Sequence, residues 1–191
     1  GGELSQYDII ILPDMRPQNI YAGSSNMPPG YQGGLGEEGV AALSEFVQKG
    51  GTLLAMGNAS AFPVQHGLVS GVELADLTGV NAPGSILRVV VEPEQPVAYG
   101  FDTEEAVFFE NNPAFEVSAG SGASVVASFG TEPLLSGYLA DPDMKLSGKA
   151  AIVDVKVGAG NIILSSPDLV YRFQAQGTLP FLFNSIFSAT K

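Results

Sequence analysis

The sequence contains no cysteine. Disulfides, thiolate metal centres and cysteine nucleophiles are therefore excluded, while the compartment stays open. It has a single histidine, His66. A zinc centre needs three or four ligands, which one histidine without cysteine does not supply. Basic residues are also scarce: eight Lys and Arg face twenty Asp and Glu, for a net charge of −12. The eight are scattered, so the basic footprint of a nucleic-acid-binding surface is missing. The same charge disfavours anionic membrane surfaces. No apolar run approaches the roughly 18–20 residues of a spanning helix. No signal-peptide pattern stands at Gly1, and a core strand follows within a few residues, as in a fragment cut from a longer protein.

What is present suits one domain, taken as residues 2–190. The 191 residues are 45% hydrophobic and 15% charged, which argues for a packed core and against disorder. Tyr7–Leu12 is a nearly continuous apolar run, as expected of a strand buried on both faces of a parallel sheet. The following stretch through Gly36, rich in Pro, Gly, Asn and Ser, reads as a long connection with a purpose. Helical periodicity returns from Glu37 to Lys49, with Val40, Leu43, Phe46 and Val47 on one face. Gly50 then serves as the C-terminal stop.

Gly50–Phe62 organises the chain. A double glycine leads into the apolar run Thr52–Met56, then Gly57-Asn58-Ala59-Ser60 makes a tight turn into a helix. Strand, sharp turn and helix is the layout that exposes a catalytic nucleophile. Beyond Phe62, Val72–Leu77 reads as a short helix. Ser85–Glu92, Ala106–Phe109, Ser124–Phe129 and Leu134–Leu139 read as strands. Ala150–Val157 and Asn161–Ser165 flank a glycine turn, and Thr178 caps a final apolar helix over Leu179–Ala189.

Candidate chemistry is thin. Ser60, His66 and Asp14 can be written as a Ser-His-Asp set, but the spacing misses the Gly-x-Ser-x-Gly elbow. Ser60 reads better as a helix cap, and His66 as an exposed loop residue. Asp141-Pro142-Asp143 lacks the downstream Glu of a calcium loop and reads as a turn. Glu92, Glu94, Glu104 and Glu105 read as solvated faces. Arg172, one of three arginines, has Gln174 and Gln176 close behind. It either binds a ligand carboxylate or pairs structurally with Asp14 or Asp168.

Several stretches together resemble one family. They are Tyr7-Asp-Ile-Ile-Ile-Leu-Pro-Asp14, Met27-Pro-Pro-Gly-Tyr-Gln-Gly-Gly-Leu-Gly-Glu-Glu-Gly-Val40 and Phe46-Val-Gln-Lys-Gly-Gly-Thr-Leu53. Pro83-Gly-Ser-Ile-Leu-Arg88, Pro96-Val-Ala-Tyr-Gly100 and Phe173-Gln-Ala-Gln-Gly-Thr178 with Phe183-Asn184 complete the set. The chain is similar to the class I glutamine-amidotransferase-like domain that follows the peptidase domain in bacterial zinc carboxypeptidase-like proteins. The resemblance implies an α/β fold: a three-layer flavodoxin-like sandwich, its sheet mainly parallel with a partly antiparallel C-terminal half. It also implies that a cysteine at the turn, the amidotransferase nucleophile, has been lost. A strand–helix–strand is expected upstream of Tyr7, and its lack would leave an open sheet edge prone to self-association.

On this reading the domain is a non-catalytic accessory of a secreted or periplasmic zinc carboxypeptidase-like protein. It carries no cofactor, and zinc is expected only in the parent peptidase domain, its partner. A cryptic serine hydrolase using Ser60 and His66, or a pure oligomerisation module, are the alternatives. The ligand-binding candidates are Asp14, Asn58, Ser60, Arg172, Gln174 and Gln176. Asn58, Ser60 and Arg172 are expected to line one shallow pocket partly covered by Tyr31.

Overall fold

A computed structural model describes residues 3–190. Gly2, where the domain reading begins, lies outside the described residues. The strands are β1 Ile9–Leu12, β2 Thr52–Met56, β3 Val72–Leu74, β4 Pro83–Val91 and β5 Glu104–Glu110, followed by β6 Phe115–Val117, β7 Ala123–Ser136, β8 Ala150–Val157 and β9 Gly160–Ser165. The α-helices are α1 Pro17–Ala22, α2 Gly36–Gln48, α3 Ala61–Gln65 and α4 Leu179–Ala189.

One sheet runs in the order β1-β2-β9-β8-β7-β4-β5, with β6 attached to β8 and β3 to β6. β1, β2 and β9 are parallel. Every other pairing is antiparallel. The antiparallel part therefore starts earlier than a C-terminal half, because β4 and β5 already pair in that sense. For β8 and β9 the reason is connection length: the two residues between them permit only antiparallel pairing.

β2 is buried along its whole length, as its unbroken apolar sequence requires of a strand covered on both faces. Alternation splits its neighbours between two cores. Leu54, Met56, Ile163, Phe109 and Phe181 share one face, which α4 covers. Leu53, Ile162, Leu164, Phe46 and Phe62 share the other, which α1, α2 and α3 cover. Helix, sheet and helix make the three layers of a flavodoxin-like sandwich.

Several local expectations change. Val72–Leu77 is not a helix; its first three residues form β3 on β6, where Val72 is buried. Ser124–Phe129 and the first three residues of Leu134–Leu139 merge into the single strand β7, which ends at Ser136. Leu87 pairs with Leu134 while Val89 pairs with Phe129, so residues 130–133 bulge out of the ladder. The long connection after β1 contains α1, opened by Pro17 in the first turn. Thr178 does not cap α4 with its side chain. The preceding turn is already helical there, and the hydroxyl donates to the carbonyls of Leu169 (2.9 Å) and Ala175 (2.8 Å) instead.

Candidate functional site

The parallel strands β1, β2 and β9 deliver their C-terminal ends to one edge, where ligands of open α/β sheets bind. Asp14 follows β1, the Gly57–Ser60 turn follows β2, and Asp168 follows β9. Gly57 takes φ +59°, which glycine adopts without steric cost. The turn thus aims the Asn58 amide outward. Asp14 Oδ1 accepts that amide at 2.6 Å and the Asn58 side-chain Nδ2 at 3.1 Å. The donor that a nucleophile turn would offer to a substrate oxyanion is already occupied by a resident carboxylate. Burial pushes the Asp168 carboxyl above the ordinary carboxylate range; the Val170 amide pulls it back, and the Asp14 charge adds to the rise.

Ser60 has no accessible surface, and its hydroxyl donates to the Gly57 carbonyl at 2.6 Å. It is not a side-chain cap either. The 3-10 turn runs directly into α3, so Ser60 is helical and bonds back to the residue three before it. His66 is not an exposed loop residue. It ends α3 half-buried, stacked on Tyr21 at 4.7 Å and 4.5 Å from Phe62. The stacking holds the imidazole on the helix-covered side of the sheet, and no hydrogen bond joins it to Ser60 among the described residues.

Arg172 stands in the left-handed region (φ +44°), with its guanidinium 5.3 Å from the Tyr171 ring centroid. Tyr171 in turn stacks on Phe108 of β5 at 3.8 Å. Among the described residues no carboxylate lies within ion-pair distance of Arg172, so pairing with Asp14 or Asp168 is not observed. Gln174 is exposed close by, whereas the chain has turned down along β5 by Gln176. A side chain at the neighbouring Gly177 would strike the Glu105 carboxylate at the start of that strand. Arg172, Gln174 and Gln176 are thus placed against β5, while Asp14 and Asn58 meet at β1 and β2.

The remaining acidic groups behave as turns and faces. Asp141 accepts the amides of Lys145 (2.7 Å) and Leu146 (2.9 Å), closing a turn. Glu104 lies 3.4 Å from Arg88 across β4 and β5. Among the described residues, no three His, Cys, Asp or Glu side chains gather as a metal site.

A cavity of about 350 Å³ opens beside Asn58. The sheet curls far enough that the end of β5 returns toward the end of β2, and the cavity lies between them. Neither Ser60, Arg172 nor Tyr31 lines it. The loop carrying Tyr31 instead folds over α1, where the Leu35 amide bonds the Ile20 carbonyl at 2.8 Å. The residues that sequence reasoning missed are Gln65, Asn111 and Asn112. The Asn-Asn-Pro turn after β5 was the available signal. A larger groove, about 430 Å³, opens at the opposite end of β1 and β2 around Glu45 and Lys49, away from the C-terminal ends of β1, β2 and β9.

The sequence matches no protein-family model and no curated protein. Solved structures do match. A β-galactosidase from Bacillus circulans sp. alkalophilus superposes with a TM-score of 0.57 at 18% identity, over 98% of this chain and 23% of that one. A protein named as a GMP synthase subunit from Thermoplasma acidophilum gives 0.58 at 12%, over 98% and 75%. A ThuA-like protein from Parabacteroides merdae gives 0.57 at 14%, over 99% and 72%. The chain thus spans under a quarter of the β-galactosidase. At these identities the likeness shows the fold alone: a glutamine-amidotransferase-like, flavodoxin-type α/β sandwich.

Proposed function

We propose that this chain is a non-catalytic accessory domain that binds a small or peptidic ligand at the β1–β2 edge of its sheet. One observation carries the reading: the turn where this fold type would hold a nucleophile is closed. Ser60, its nearest hydroxyl, is buried with its proton committed to Gly57, and Asp14 fills the position in front of the Asn58 amide. The parent is a secreted or periplasmic zinc carboxypeptidase-like protein whose peptidase domain precedes and contacts this one. This wider assignment rests on the sequence resemblance. Zinc belongs to that domain, since one histidine without cysteine does not fit the usual zinc set. Incubation with glutamine, an activated ester and a peptide is expected to give no turnover. A rate abolished by Ser60→Ala would overturn the reading.

The open edge of β1 supports self-association as a second role. Thr52 N donates to Asp8 O at 2.9 Å, so Asp8, Ile10 and Leu12 turn their backbone groups toward β2. The amides and carbonyls of Ile9 and Ile11 therefore face away, and no strand pairs with them among the described residues. A second copy, antiparallel about Ile10, pairs Ile9 with Ile11 in both directions. Asp8 and Asp14 flank the contact, so salt that screens their repulsion strengthens it. Ile11→Pro removes an outward donor without touching the β1–β2 ladder. Sedimentation equilibrium is expected to show a weak, salt-promoted dimer that Ile11→Pro abolishes; a monomer at every salt concentration sinks this role.

A further inference from the structure

We infer that the cavity between the Gly57–Ser60 turn and the Asn111-Asn112-Pro113 turn binds an uncharged peptide amide carrying an apolar side chain. The inference rests on the ligand-binding reading of this sheet edge and specifies what fills it.

Asn112 is the starting point. It is 4% exposed and lines the cavity, and its Oδ1 accepts the Glu110 amide at 2.8 Å. Its Nδ2 has no hydrogen-bond partner among the described residues. These N–H donors keep some exposure at the cavity wall and are open to an acceptor from a ligand or solvent. The neighbouring Asn111 is not available in the same way. Its Oδ1 accepts the Ala82 amide at 2.7 Å and its Nδ2 reaches Asn81 at 3.4 Å, which fixes the turn.

The β2 side of the cavity offers the complementary group. Asn58 commits its Nδ2 to Asp14, and this orients the side-chain carboxamide and leaves Oδ1 without a donor among the described residues. Gln65, exposed at the rim and unbonded, offers one more of each kind. A donor from Asn112 and an acceptor from Asn58 match the carbonyl and N–H of an amide group. Leu74, Leu77 and Phe109 supply apolar wall for a side chain attached to that amide.

Charge selects further. No ionisable side chain lines the cavity. A carboxylate entering it would lose water without gaining a counter-charge, with the Asp14 carboxylate bonded directly to Asn58 behind the wall. An ammonium would lose its hydration against neutral asparagines and gain no direct ion pair.

The test titrates the whole ¹⁵N-labelled chain with N-acetyl-leucinamide, and separately with N-acetyl-leucine and leucinamide. The side-chain NH₂ signals of Asn112 and Gln65 are followed by NMR. Saturable shifts of both signals are expected with N-acetyl-leucinamide, with the two charged analogues weaker by about tenfold or more. Asn112→Asp keeps the acceptor for the Glu110 amide and removes the free donors; it should weaken binding by about tenfold. Gln65→Leu should weaken it several-fold without affecting the fold. Should Asn112→Asp fail to fold, Val80→Trp fills the cavity and is expected to abolish the shifts. Equal affinity for N-acetyl-leucine, an unmoved Asn112 signal at saturation, or wild-type binding by the folded variants would overturn the inference. The underlying reading fails separately: Ser60-dependent turnover removes the non-catalytic assignment whether or not the amide binds.

Discussion

Gly57→Ala lowers stability by about 3 kcal/mol, while Gly67→Ala, ten residues on, costs about 1 kcal/mol. Both glycines have positive φ, +59° and +66°. An L-residue pays a similar backbone penalty at either site. They differ in surroundings. Nothing lies within 4 Å of a methyl group placed on Gly67, whereas one on Gly57 overlaps the Asp14 Oδ1 and Cβ. Asp14 cannot step aside freely, because the same oxygen holds the Asn58 amide and side chain. The extra loss is thus an overpacking term combined with a strained or broken hydrogen-bond pair. Urea midpoints of the two variants measure it. Adding Asp14→Ala to Gly57→Ala should recover part of the difference, giving a coupling between the sites. Equal losses at Gly57 and Gly67 would mean that Asp14 does not close the turn.

The turn itself was legible, and so were β1 and β2 of the parallel part of the sheet. Thr52–Met56 is apolar enough to declare a strand, but the burial on both faces expected of Tyr7–Leu12 belongs to it instead: β1 starts only at Ile9 and is a half-buried edge strand. Glu37, Glu38 and Gly50 mark the two ends of α2 by dipole and cap, within a residue or two of the observed Gly36–Gln48. Short elements did not declare themselves. α1 buries only Ile20, and β3 and β6 have three residues each, too few for either periodicity to register. Gly130 and Pro133 read as punctuation in β7, yet they fall in a bulge that the strand passes through.

Side-chain roles were harder than elements. Asn58 and Asp14 could be placed on one edge because strand ends follow from chain direction. Arg172 could not, because three left-handed residues, Arg172, Phe173 and Ala175, redirect the chain toward β5. A left-handed arginine or phenylalanine has no sequence signature. The cavity was hidden for a different reason. Asn58, Gln65, Leu74, Phe109 and Asn112 meet through the curl of the sheet, which no local pattern encodes. The unpaired donors of Asn112 become visible only when its hydrogen bonds are counted.

Phe181→Ala removes about 3–5 kcal/mol, a large share of the stability of an ordinary domain. The expectation follows from how unevenly the two faces of the sheet are covered. Three α-helices contribute side chains to the core holding Leu53 and Phe62. Among the described α-helices only α4 contributes to the core holding Leu54 and Phe109. Phe181 is its anchor: it has no accessible surface and stacks on Phe101 with centroids 3.8 Å apart. The helix is further held at Asn184, whose Nδ2 donates to the carbonyls of Val97 (3.0 Å) and Tyr99 (2.8 Å). Truncating Phe181 removes the ring from the Phe101 stack and leaves a cavity under a helix that cannot sink without breaking the Asn184 bonds. Phe187, on the same helix but 75% exposed, is the control, and its change to alanine should stay within about 0.5 kcal/mol. Denaturant unfolding of the two variants gives the comparison, and hydrogen exchange in β4 and β5 should rise for Phe181→Ala alone. A loss below about 1 kcal/mol for Phe181→Ala would show that α4 is not the layer that closes this face.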